Sequence, residues 1–227
     1  DEVELRAQKS GTLQEVLVTE GSEVRRGQVL MTLDDREDAA NVRKTEAAVA
    51  SAETALSVAR RDLARNQDLA ARNFLSPAAL DAFQSKVETA ESALAQTRAA
   101  LEQALVSRSY TRITAPFPGR AGRVDVRPGA LVTPSTTGPA LVKLTRMDPI
   151  GVSFALPERD LPTLLAAQAK APVKIAAILD GATTLTGQVS WIESTVDRTA
   201  GTISVKARLD NTARAAWPGQ YARVQLK

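Results

Sequence analysis

The stretch Arg72-Asn73-Phe74-Leu75-Ser76-Pro77 decides the fold, because it is the one break in a long run without other punctuation. No glycine lies between Gly27 and Gly119, and Pro77 is the only proline between Gly27 and Ala115. Ser76 is a good N-cap, and Pro77 suits the first helical position because its missing N–H would be unpaired there anyway. Upstream, Val42, Val49, Leu56 and Leu63 recur every seven residues, with Thr45, Ala52, Ala59 and Asn66 three places after each. These are a and d positions of a heptad. Downstream, Leu80, Val87, Leu94 and Leu101 fall at a, and Phe83, Ala90, Thr97 and Ala104 at d. Large residues at a and mostly small ones at d let two helices approach closely. Asp34 or Asp35 can cap the first helix, and Glu37 and Asp38 suit its positive end. A connection this short forces the helices antiparallel. At 1.5 Å per residue each arm of about 35 residues reaches about 50 Å, so the hairpin projects from any small domain.

Outward from the hairpin the two flanks repeat each other. A shift of 108 positions brings Ala7 onto Ala115, Gly11 onto Gly119, Val16 onto Val124, Val18 onto Val126, Gly21 onto Gly129 and Val24 onto Val132. Each flank alternates as strand, turns at Glu20-Gly21 or Pro128-Gly129, and resumes as strand over 28–33 or 140–144. Two such units pair into one small sandwich. After Met147-Asp148-Pro149 the pattern changes. One short helix from Pro157 to Gln168 and strand-like runs at 150–156, 173–179, 188–192, 202–209 and 221–226 predict a small closed or nearly closed β-barrel. Trp191 and Trp217 are expected in core or rim packing rather than as interface anchors.

Composition excludes many chemistries. The 227 residues contain no His and no Cys, which removes disulfides, zinc fingers, imidazole bases and Cys or Ser-His-Asp nucleophiles. The net charge is +3, from 29 Lys+Arg and 26 Asp+Glu, with signs interspersed and no Lys/Arg block with interleaved aromatics, so nucleic acid is not an expected partner. Aromatics are 4%, so the cores are aliphatic. No apolar run approaches the 18 residues of a membrane span. Asp34-Asp35 and Glu37-Asp38 are the candidate carboxylate pairs for acid–base work, but a helix start accounts for them. No phosphate-binding glycine loop is present. The chain is not expected to be an enzyme, to hold a cofactor or to ligate a metal. Met31 and Met147, far apart in sequence, make no soft-metal cluster.

The duplicated flanks resemble the lipoyl/biotinyl-carrier fold. Carrier domains hold their modified lysine on the turn between the halves. Here that place holds Leu33-Asp34-Asp35 and the inserted hairpin, and Lys9 and Lys44 are badly placed, which argues against acyl carrying. The whole arrangement resembles the periplasmic adaptor, or membrane fusion, subunit of tripartite efflux pumps, closest to adaptors serving resistance–nodulation–division (RND) transporters. Four motifs carry the likeness: Val3-Glu4-Leu5-Arg6-Ala7-Gln8-Lys9-Ser10-Gly11, Thr114-Ala115-Pro116-Phe117-Pro118-Gly119-Arg120-Ala121-Gly122, Val196-Asp197-Arg198-Thr199-Ala200-Gly201-Thr202 and Trp217-Pro218-Gly219-Gln220-Tyr221.

The resemblance implies an elongated α+β multidomain chain, with an antiparallel α-helical coiled-coil hairpin inserted in a split lipoyl-like β-sandwich and a small β-barrel after it. The expected boundaries are 10–34 and 110–145 for the sandwich, 35–109 for the hairpin with its tip near 72–76, and 1–9 with 146–227 for the barrel. The family's membrane-proximal domain is expected outside this stretch. The resemblance further implies an inner-membrane RND transporter and an outer-membrane channel as partners, and self-association into a ring, hexameric in assembly. It implies a periplasmic location, with anchoring to the inner membrane through an N-terminal segment that this stretch does not include. Adaptors for ABC-type exporters or metal efflux pumps are the alternatives. In this family an Arg, a Leu four residues later and a Ser seven after that contact the outer-membrane channel. Arg65, Leu69 and Ser76 keep that spacing. Arg65 falls at c and Leu69 at g, one helical turn apart and both off the a/d seam.

Overall fold

Eight strands from the two flanks of the arm build the sandwich, and their order reproduces the sequence repeat. The computed structural model describes residues 2–72, 74–135, 140–179 and 183–226. The first flank supplies β1 (Glu2–Leu5), β2 (Gly11–Val16), β3 (Glu23–Val24) and β4 (Val29–Leu33). The second supplies β5 (Arg112–Thr114), β6 (Gly119–Val124), β7 (Leu131–Val132) and β8 (Val142–Thr145). One sheet runs β1-β8-β6-β3 and the other β5-β4-β2-β7. Exchanging each strand for its counterpart in the other flank converts one order into the other. Each sheet therefore takes strands from both flanks, and neither half can close a core alone. Leu13, Leu30, Met31, Val142 and Leu144 are at most 1% exposed in that core. Gly21 and Gly129, partners under the repeat, both adopt left-handed backbone, with φ of 74° and 88°. A side chain would be strained at either turn.

One boundary is corrected. Residues 1–9 were expected in the barrel, yet β1 pairs antiparallel with β8, Glu2 to Thr145 through Leu5 to Val142. Leu5 and Ala7 pack on the sandwich core. The reason is an open edge: β8 offers β1 a free side, and the Leu141 N–H donates to the Leu5 carbonyl at 2.8 Å to extend the pairing.

The arm consists of α1 (Arg36–Ala71) and α2 (Pro77–Ser109). Ion pairs Arg60–Glu91 and Arg98–Glu53 cross between them, and the descending and ascending numbers establish antiparallel packing. Burial follows the heptad. Leu56, Val87 and Leu94 form the seam's buried cluster, with Val49, Ala52, Ala59, Leu63 and Ala90 half-buried against it. Asn73, within the expected tip, lies outside the described residues.

At the base of the arm the acidic residues divide their partners. Asp34 accepts from the Arg36 backbone N–H at 3.2 Å and from its guanidinium, while Asp35 pairs with Arg108 at 3.0 Å and makes no cap with its side chain. Asp38 is buried. It accepts from Lys9 Nζ at 2.5 and 2.7 Å and from the Ser107 hydroxyl at 2.9 Å. This cluster joins the loop after β1, the first turn of α1 and the last turn of α2. Burial pushes the Asp38 pKa up, but the hydrogen bonds from Lys9 and Ser107 and the charges of Lys9 and Arg108 outweigh it and hold the carboxyl below the usual aspartate value. Lys9 is thus occupied in holding the arm to the sandwich.

The C-terminal unit is a five-stranded antiparallel sheet in the order β13-β10-β11-β12-β9. Its strands are β9 (Ile150–Pro157), β10 (Lys174–Leu179), β11 (Thr183–Ile192), β12 (Thr202–Leu209) and β13 (Arg223–Leu226). A 3₁₀ turn, Glu158–Asp160, leads into α3 (Leu161–Lys170), whose Leu161 and Leu164 cover the sheet's core. Among the described residues β9 and β13 are the edges of this sheet. Asn211, fully buried, ties this unit to the linker from the sandwich. Its Nδ2 donates to the carbonyls of Met147 and Ala216, its Oδ1 accepts from the Ala216 N–H, and its own N–H donates to Asp148. The Arg214–Glu23 ion pair and the Arg120 guanidinium, 4.8 Å over the Trp217 ring, bind the segment after β12 to the sandwich. Trp191 and Trp217 are 40% and 49% exposed, which places both on the rim.

Candidate functional site

The far end of the arm is built by two helix terminations. The Leu69 carbonyl accepts from the backbone N–H groups of Arg72, at 3.2 Å, and Phe74, at 3.0 Å, which ends α1 and turns the chain. Ser76 has extended backbone, and its hydroxyl accepts from the Ala79 N–H at 3.3 Å, with Pro77 at the first helical position. Ser76 is therefore an N-cap in fact, and a capping hydroxyl of this kind retains one O–H to donate.

Arg65 and Leu69 lie four residues apart on α1, about 6 Å along the axis. The Arg65 side chain is 75% exposed, and its carboxylate neighbour Asp62 is at 3.9 Å, the outer limit of an ion pair. Such a contact barely restrains it. Leu69 is 40% exposed and is not part of the seam's buried cluster. The structure brings Arg65 and Leu69 onto one flank of α1. It places Ser76 across the turn, at the start of α2. Phe74, which the sequence reading passed over as a turn residue, is 77% exposed and is the most exposed large apolar side chain at this end. The available signal was its type: a phenylalanine in a five-residue connection has no core to join.

The site's chemistry is that of a docking surface. An apolar Leu and Phe share this end of the arm with an exposed cation and a hydroxyl. Among the described residues no group of three His, Cys, Asp or Glu side chains is placed to hold a metal. No helix in the described residues is long and apolar enough to cross a membrane.

Two family models cover almost all of the chain. The RND MFP barrel-sandwich hybrid domain matches residues 1–144, and the RND MFP beta-barrel domain matches residues 149–227. The chain belongs to the RND membrane fusion protein family. The family match also places residues 1–9 with the sandwich, as the β1–β8 pairing does. Among relatives, multidrug resistance protein MdtA of Yersinia enterocolitica is 32% identical over 232 residues, covering 99% of this chain and 52% of that protein. MdtA of Yersinia pestis gives the same identity and coverage. The chain spans about half the length of these curated relatives. The fold is shared with a MacA-MexA chimera carrying the Pseudomonas aeruginosa MexA α-hairpin domain, at TM-score 0.66 and 21% identity over all of this chain and 76% of that one. A membrane fusion protein from Streptococcus pneumoniae gives TM-score 0.64 and 20% identity over all of this chain and 92% of that one.

Proposed function

We propose that this membrane fusion protein is a periplasmic adaptor that bridges an inner-membrane RND transporter and an outer-membrane channel for the efflux of drugs or other small molecules. The observation that carries the reading is the arm itself. A helical hairpin about 50 Å long leaves the sandwich and ends in an exposed Leu69, Phe74 and Arg65. The exposed apolar surface at the end of a thin two-helix arm adds nothing to the arm's own burial. It suits packing against the helical end of another protein, because a Leu off the arm's own a/d seam is left to serve as a knob for a partner's helices. Arg65, Leu69 and Ser76 are the proposed channel contacts, with Phe74 beside them. Several copies would assemble as a ring, the arms forming a tube and the sandwich and barrel units sealing the path. A hexamer is the proposed number, and the ring would be held at the inner membrane through a segment outside this stretch. The role is coupling, so energy and substrate selection would lie with the transporter.

The test is in vivo photocrosslinking from position 72, beside the tip, followed by identification of the captured partner. Capture of an outer-membrane channel is the expected result. Capture of only cytoplasmic proteins would overturn the reading.

A further inference from the structure

The outer face of the C-terminal sheet carries a basic groove that the adaptor reading leaves without a role. Two adjoining cavities, about 770 and 420 Å³, share Pro149, Ser190 and Arg208 and form one trough across β9, β10, β11 and β12. Its charged residues are Arg146, Lys174, Lys206, Arg208 and Asp210, and the remaining lining is neutral. Lys174, Lys206 and Arg208 share this lining with a single carboxylate, Asp210. Elsewhere the signs are mixed, and Arg60, Arg98 and Arg108 each meet a carboxylate within 3.0 Å. Within the groove Lys174, Lys206 and Arg208 have no carboxylate among the described residues within ion-pair reach. Lys206 lies 4.8 Å over the Trp191 ring, a contact that aims the cation without neutralising it.

The strand register gives the groove a repeat. Lys206 and Arg208 alternate with the buried Val205, Ala207 and Leu209 on β12, so both project outward about 6.8 Å apart. Arg208 pairs with Gln188 of β11, which pairs with Lys174 of β10, so Lys174 stands two strands from Arg208, about 10 Å away. An extended peptide presents same-face side chains at the same interval of about 6.8 Å. Carboxylates at alternate positions of an extended segment would meet Lys206 and Arg208 in step, with Lys174 within reach of a third. The cations sit in the walls of a trough rather than on a convex surface, which favours a single inserted segment over a flat bilayer.

We infer that this groove is a docking site for an extended acidic segment of a partner protein, with carboxylates at alternate positions held by Lys206 and Arg208. The contact is electrostatic, so it weakens as salt rises. It is also distinct from the arm's tip, and its test does not depend on the adaptor reading.

The test uses a fluorescent peptide of alternating glutamate and threonine, titrated into the 227-residue chain at low and high salt and followed by anisotropy. Its Lys-Thr counterpart, inorganic phosphate and phosphatidylglycerol vesicles are the comparison probes. The Glu-Thr peptide is expected to bind at low salt and to perturb Trp191 fluorescence in a Trp217→Phe background. The double variant Lys206→Gln/Arg208→Gln should weaken binding about tenfold. Lys44→Gln, on the arm, should leave it unchanged. Thermal melting checks that the double variant is folded, and Lys174→Gln, at an exposed position on another strand, gives a second reading with a smaller loss. Unaltered affinity in the folded double variant overturns the inference. So does failure of the Glu-Thr peptide to bind at low salt, or vesicle binding through Lys206 and Arg208 that exceeds the peptide's.

Discussion

The sandwich and the arm are made from one continuous stretch of chain, yet they bury their residues in opposite ways. The sandwich interleaves strands from both flanks around a core in which Leu30, Met31, Val142 and Leu144 are completely covered. The arm is two helices with a single seam, and even its best-buried leucines, Leu56 and Leu94, retain 7% and 8% of their surface. A two-helix seam has no second layer, so every other face of the arm meets solvent. Stability therefore resides in the body and is only local in the arm, and this leaves the tip's side chains available for another molecule.

Truncation of Leu144 to Ala should test the dense end of this contrast, with a loss of about 3–5 kcal/mol in urea unfolding. The same change at Leu94 should cost about 2 kcal/mol, since the seam can partly collapse and part of the side chain is already wet. Equal losses would erase the distinction between body and arm. Asn211→Ala, at the joint between sandwich and barrel, should cost about 2–3 kcal/mol, because two buried carbonyls and the Ala216 N–H lose their partner together.

The base of the arm should show its own pH signature. The Asp38 carboxyl has a folded pKa below its ordinary value of 3.8, so its contribution is complete above that pH. It is lost as pH falls through the lower folded value. The melting temperature should fall more steeply with decreasing pH across this acid range for the natural chain than for Asp38→Asn, which cannot titrate there. Coincident slopes would detach Asp38 from the anchoring of the arm. Ser76→Ala removes the α2 cap and should cost about 1 kcal/mol or less.

Much of this architecture was legible because local rules coincide with long-range ones. The heptads at Val42–Leu63 and Leu80–Leu101 needed no partner but each other, and Ser76-Pro77 marks its own helix start. The 108-residue repeat was legible because Gly21 and Gly129 both serve turns that only glycine fills without strain. The β1 assignment failed for the opposite reason. Glu2–Leu5 is a four-residue strand, and its partner Val142–Thr145 lies at the other end of the sandwich sequence. Nothing in so short a strand names the edge that receives it. Asp34 and Asp35 were read as interchangeable caps, but the distant Arg108 draws Asp35 away. The groove on the C-terminal sheet was equally invisible, since Lys174, Lys206 and Arg208 converge only through strand register.

The most direct test of the central claim is Leu69→Ser, read twice. Unfolding of the purified variant should match the natural chain within about 0.5 kcal/mol, because Leu69 lies outside the seam. Drug resistance of a deletion strain complemented with the same variant should fall to the level of the uncomplemented strain. Unchanged resistance with unchanged stability would contradict the assignment of function to the tip.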